Sequence, residues 1–129
     1  ESRGLGDVYK RQHKSGAILK FQKSSEILIV EGLGEFVAVS DEDPIPIGTH
    51  DIEIPTAPHV EQGRYYLRYS SYSQTWFRIG HSGDKFLHCG TNSLGCITVK
   101  EPEKWTDIYR FLISCRKDDT SIGTVEVVD

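Results

Sequence analysis

Phe86-Leu87-His88-Cys89-Gly90-Thr91-Asn92-Ser93-Leu94-Gly95-Cys96-Ile97-Thr98-Val99 is the stretch on which the reading of this chain turns. Two short apolar runs, Lys85 to His88 and Cys96 to Val99, flank a segment rich in Gly, Thr, Asn and Ser, which predicts strand, loop and strand. An antiparallel return with Leu87 opposite Ile97 places His88 opposite Cys96, on one face of the pair. Directly opposed residues have Cβ atoms roughly 4.5–5.5 Å apart, within reach of an imidazole and a thiol. That is the arrangement of a nucleophile and its base. Gly90 and Gly95 leave backbone N–H groups near Cys96 free to turn toward a bound carbonyl, and Ser93 adds a hydroxyl.

The chemistry predicted for the pair is acyl transfer. An imidazolium beside a thiol lowers its pKa from about 8.5 into the range of roughly 3.5–7.5, giving thiolate at neutral pH. The thiolate attacks a peptide carbonyl, backbone N–H groups around Cys96 hold the oxyanion, and His88 protonates the leaving amine. A thioester results, and an amine or a water resolves it. Three other readings of the same residues stay open. Cys96 and His88 are inert, the first as a small buried hydrophobe. His81, His88, Cys89 and Cys96 bind zinc, although their spacing matches no common zinc module. Cys89 and Cys96 form a disulfide that silences the nucleophile.

Outward from the motif, the 129 residues, 37% hydrophobic and 26% charged, predict one soluble globular domain with a core of its own. A net charge of −4 carries no basic footprint, which argues against nucleic acid as a partner. No run of about 18 apolar residues exists to span a membrane as a helix. Three cysteines leave at least one free thiol unless it bonds to another molecule. Asp7 to Gln12 resembles a translated transposase mosaic end from sequencing-library preparation. Residues 1–12 are accordingly read as adapter-derived, from a metagenomic fragment, and 13–129 as the domain, so a signal peptide would lie beyond the sequence in hand.

Between residue 13 and the motif the pattern is β-rich. Ala17 to Phe21, Glu26 to Val30 and Glu35 to Val39 read as a strand meander, and Asp41 to Asp43 as an acidic surface turn. Pro44 and Pro46 fix an extended approach, and Gly48 permits a turn into a strand through Ile52. His50 and His59 read as partly exposed residues without a catalytic role. Tyr65 to Tyr69 and Thr75 to Ile79 predict a further strand pair, whose aromatic side chains read first as sheet core and whose arginines as snorkelling surface groups, with Tyr65, Trp76 and Arg78 as candidates for a substrate-binding wall in the alternative. Beyond the motif, Trp105, Ile108, Tyr109, Leu112 and Ile113 fall on one face of a helix from Pro102 to Arg116. Cys115 reads as a structural or surface thiol near its end, and Gly123 to Val128 as the last strand.

His88 followed by Ser93-Leu94-Gly95-Cys96-Ile97 resembles the catalytic motif of the L,D-transpeptidases (YkuD-like), and Pro46-Ile47-Gly48-Thr49-His50-Asp51-Ile52 is similar to an element those domains carry before a strand. The resemblance implies a mainly β fold, a β-sandwich or meander with one helix in the C-terminal half and a final strand. It implies Cys96 as nucleophile and His88 as base, with Gly95 and Gly90 shaping the oxyanion site. Ser93 would brace the motif and the Cys89 carbonyl would orient the imidazole. The implied substrate is the tetrapeptide stem of peptidoglycan, cut after a meso-diaminopimelate-type residue with release of D-alanine, without cofactor or metal. Leu94 stands where the motif has a second His, and the step from His88 to Cys96 is short; both features look more like the compact relatives delivered by type VI secretion. Transpeptidation, D-amino-acid exchange and L,D-carboxypeptidase hydrolysis all remain open, as does a non-catalytic wall- or partner-binding domain. The implied location is the periplasm or cell envelope, reached by secretion if the chain is an effector, with an immunity or secretion partner in that case.

Overall fold

A computed structural model of the chain describes residues 15–40, 45–91 and 96–129. Residues 1–12, the acidic turn at Asp41 to Asp43, Pro44, and Ser93, Leu94 and Gly95 of the motif lie outside the described residues.

The predicted meander is present as β1 (Ala17–Gln22), β2 (Ile27–Val30) and β3 (Gly34–Val39), paired antiparallel in sequence order. In β1 burial alternates strictly, with Ala17, Leu19 and Phe21 inward, as a period of two requires. The chain continues through β4 (Gly48–Glu53), a short helix α1 (Val60–Gly63), β5 (Phe77–Arg78), β6 (Phe86–Cys89), β7 (Ile97–Val99), helix α2 (Trp105–Ser114) and β8 (Ser121–Val128). The eight strands form one sheet in the order β4-β8-β1-β2-β3-β7-β6-β5. Its two outer strands converge: Ile52 bridges to Ile79, and the Gly80 N–H donates to the Asp51 carbonyl at 2.7 Å. The mainly β expectation holds, with α2 in the C-terminal half and β8 last.

Helix α2 follows the sequence pattern closely. Pro102 opens a 3₁₀ turn over Pro102–Lys104, and the α-helix starts at Trp105. Trp105, Ile108 and Leu112 are fully buried on one face, and the Trp105 indole N–H donates to the Tyr72 carbonyl at 2.9 Å. Cys115, at the end of this helix, is a buried free thiol.

Two local expectations are corrected. The strands of the motif run parallel, with Leu87 against Ile97 and His88 against Thr98, so Cys96 does not oppose His88. Both strands are buried on both faces, and such strands show continuous apolar runs that do not reveal direction. Direction is set by the neighbours: β6 pairs antiparallel with β5 on one side, and β7 antiparallel with β3 on the other. The second correction concerns Tyr65 to Tyr69, which is no strand. Arg64–Tyr66 is a 3₁₀ turn, and Leu67, Tyr69 and Ser70 donate back to Arg64 and Tyr66. Tyr65, Leu67 and Tyr69 are all exposed and have no sheet to bury them, so the β-favouring side chains do not prevail. Of Thr75 to Ile79 only Phe77–Arg78 forms a strand.

One backbone approach holds the sheet together. In the parallel β1–β8 pair Gly123 lies opposite Ala17 at a φ of +146°, and a Cβ there would stand 2.0 Å from the Ala17 carbonyl oxygen. Gly123→Ala should therefore cost at least ~3 kcal/mol of stability, from strain and clash together. Urea unfolding checks this, and a loss below about 1 kcal/mol would contradict the packing described.

Candidate active site

The site is assembled from strand registers and one loop brace. His88 sits in the middle of β6 and is 5% exposed. Its Nδ1–H donates to the Cys89 carbonyl at 2.9 Å, which leaves Nε2 as the acceptor. Thr98, its parallel partner on β7, places Oγ1 3.2 Å from that Nε2. The imidazole also stacks on Trp76, centroid to centroid 3.9 Å at an interplanar angle of 13°. Burial is the main reason its pKa falls to about 4, with His59 adding to the fall and the Cys89 carbonyl opposing it.

Cys96 lies just before β7 and is buried. Its Sγ accepts the Phe86 N–H at 3.4 Å and is 3.9 Å from the Asp84 carbonyl. Burial pushes the thiol up from its ordinary range, and the Phe86 N–H and Lys85 only partly offset this. The resting pair is therefore a neutral thiol and a neutral imidazole. Burial thus opposes the thiolate expected from the residue types, because neither charged form is well solvated here.

Both groups line one cavity of about 620 Å³. Trp76, Tyr65, Cys89 and Gly90 also border it, so the structure brings together most of the described candidates. Gly90 has a φ of +147°, and a Cβ there would meet the Tyr66 ring at 3.2 Å. That ring is fixed by its hydroxyl, which lies 2.8 Å from Thr91 Oγ1 and accepts the Thr91 N–H at 3.1 Å. Tyr65 is 67% exposed at the rim. Arg78 lies apart, in the wall of a neighbouring cavity, ion-paired to Glu53 at 3.0 Å. Burial raises the Cys89 thiol to about 12, and its carbonyl is the part that touches His88.

The two alternatives of metal and disulfide are not built here. Cys89, Cys96 and Cys115 are free thiols. Among the described residues no cluster of metal-ligating side chains forms, and His81 binds Asp51 and Glu53 instead.

His59, read from the sequence as a partly exposed residue without a catalytic role, is partly exposed and borders both cavities. It stacks on Trp76 at 4.0 Å and 6° and meets the Phe86 ring edge-on at 4.6 Å. Burial and the nearby Arg78 lower its pKa. A brace fixes it: the His59 N–H donates to the Gln74 carbonyl at 2.7 Å, the Ser73 hydroxyl to the Gly63 carbonyl, and the Trp76 indole N–H to the Ser73 carbonyl. A histidine after a proline-flanked loop carries no periodic signal, so the sequence did not show that it stacks on Trp76.

Set against known proteins, this geometry has relatives of shape. No protein-family model matches the chain, and no curated protein matches it. Solved structures do match, among them three from Mycobacterium tuberculosis. An L,D-transpeptidase of strain H37Rv aligns at 16% identity with a TM-score of 0.52, and L,D-transpeptidase 1 at 18% and 0.54. L,D-transpeptidase 3, solved with a faropenem-derived adduct, aligns at 14% and 0.50. The fold is similar to that of the L,D-transpeptidases. Each alignment covers 88% of this chain but only 58–60% of the matched one, so the chain spans under two thirds of those proteins.

The buried His88 couples folding to pH. Unfolded, the ring titrates near 6.5; folded, near 4. Between those values the unfolded chain holds the extra proton, so stability is fully present above about pH 6.5 and falls as pH drops toward 4. The difference amounts to roughly 3 kcal/mol. Urea unfolding at pH 7 and pH 4.5, compared between the unaltered chain and His88→Gln, should show that this part of the acid destabilisation disappears in the variant.

Proposed function

We propose that the chain is a cysteine acyltransferase of L,D-transpeptidase type acting on the tetrapeptide stem of peptidoglycan. The observation that carries this reading is the placement of the Cys96 thiol and the His88 imidazole in the wall of one cavity, on a sheet shaped like that of the L,D-transpeptidases.

Because both groups rest neutral, the reaction begins by general-base attack. Nε2 of His88, its lone pair directed by the Nδ1–H to Cys89 bond, takes the Sγ–H proton as sulfur bonds to the carbonyl carbon of the diaminopimelate-type residue. Thr98 Oγ1 moves aside from Nε2 as the proton arrives. The negative charge goes to the carbonyl oxygen, which the Cys96 N–H stabilises. The C–N bond then breaks, and the D-alanine nitrogen leaves with the proton from His88. An incoming D-amino acid or stem amine resolves the thioester by exchange or cross-linking; water resolves it by hydrolysis. Gly95 and Ser93 keep the supporting roles that the motif resemblance implies. The cell envelope is the proposed place of action, and delivery as an antibacterial effector is the variant of this reading that the short His-to-Cys step favours.

One observation favours a second reading. A thiol raised by burial and an imidazole lowered by burial in one cavity suit a non-catalytic wall-binding domain on the same scaffold.

Release of D-alanine from a purified disaccharide tetrapeptide separates the two. The unaltered chain should release it, Cys96→Ala should fall to background, and His88→Gln should lose a factor of roughly 10²–10⁴. Full activity in Cys96→Ala would end the proposal, and intact muropeptide binding without turnover in the unaltered chain would establish the binding domain. An added D-amino acid appearing in the product distinguishes exchange from hydrolysis. In a Cys89→Ser, Cys115→Ser background, iodoacetamide should label Cys96 slowly at pH 7. The rate should climb only above the ordinary thiol range, following the raised pKa.

A further inference from the structure

Beside the cavity of His88 and Cys96 lies a smaller one of about 230 Å³, and the rings of His59, Trp76 and Phe86 border both. The smaller cavity holds adjacent opposite charges. Arg78 Nη1 is 3.0 Å from Glu53 Oε1, and the guanidinium lies 5.5 Å from the centre of the Phe86 ring. His81 Nδ1 holds the other carboxylate oxygen at 3.0 Å, so the pair is fixed from behind. Neither group is saturated. Arg78 Nε is buried with no hydrogen-bond partner among the described residues, and a carboxylate has about four acceptor positions, of which two are used here.

The larger cavity differs in charge. Glu61 and Asp84 border it, and no Lys or Arg is among its described lining residues. Arg78, in the wall of the smaller cavity, is a cation within reach of an anionic group on a ligand that extends past Phe86. Phe86 spans the distance: its N–H contacts Cys96 Sγ, while its ring lies under Arg78.

Resting on the reading that Cys96 and His88 cleave a stem peptide, we infer that the smaller cavity receives the far end of the donor residue's side chain. That end is an amino-acid group, one carboxylate and one ammonium on the same carbon. Arg78 takes the carboxylate through its fork of donors, and Glu53 takes the ammonium. The short methylene chain crosses the wall over Phe86. A lysine-type side chain, with an ammonium and no carboxylate, leaves the buried Arg78 donors unmet and is selected against.

The test is calorimetric binding to Cys96→Ala, which cannot turn its ligand over. Three peptides serve as probes: L-Ala-γ-D-Glu-meso-diaminopimelyl-D-Ala, the same peptide amidated at the side-chain carboxylate, and its lysine counterpart. Amidation and the lysine replacement should each weaken binding at least tenfold, and adding Arg78→Gln should bring the three within twofold of one another. Equal affinities for the three peptides would overturn the assignment, as would a preference that survives Arg78→Gln. Should Arg78→Gln not fold, the three-peptide comparison decides on its own, because it needs no change at Arg78. D-alanine release by the unaltered chain keeps the two proposals separate. Selective binding without release defeats the catalytic reading alone, and equal release from diaminopimelyl and lysyl peptides defeats the cavity assignment alone.

Discussion

The parallel pairing of β6 with β7 is the constraint on which the site depends. Leu87 and Ile97, each 1% exposed, meet across it inside the core. With that pair in place, His88 must lie against Thr98, and Cys96 must fall one step before the strand, where the Phe86 N–H reaches its sulfur. A reversal of either strand would turn its neighbours β5 and β3 out of register as well. The geometry of the candidate pair is thus held by core packing.

Burial is also what tunes the chemistry. The same packing that positions the imidazole removes it from water, lowering its basicity while raising that of the thiol. A charged pair in this setting would pay desolvation on both ions before any mutual attraction was gained. The neutral resting state follows. Trp76, stacked on both His88 and His59, makes the wall between the two cavities rigid and ties it to α1 through Ser73.

The convergence of the outer strands serves both cavities. Asp51 and Glu53 at the end of β4 grip His81 beyond β5, and Arg78 on β5 returns to Glu53, so the meeting of the edges is made from charged groups as well as from the Ile52–Ile79 bridge. The carboxylates raise the His81 pKa, which favours the bridging cation. The ion pair that lines the smaller cavity is a by-product of that convergence, which is why no local pattern announced it.

By itself the sequence determined the elements whose burial follows a period. Strict alternation in β1 and the Trp105, Ile108, Leu112 face of α2 are read directly, because side-chain spacing within one element decides which face is apolar. It also singled out His88 and Cys96, which line one cavity. Only the tertiary structure decided strand direction, the turn at Tyr65 to Tyr69, the neutral state of the pair and the place of His59 and Glu53. Each of those depends on a neighbour distant in the chain: β5 and β3 for direction, the absence of a pairing strand for the turn, the depth of burial for charge, and the Gln74 carbonyl for His59. Local spacing carries no information about what will be packed alongside, and that is what these features required.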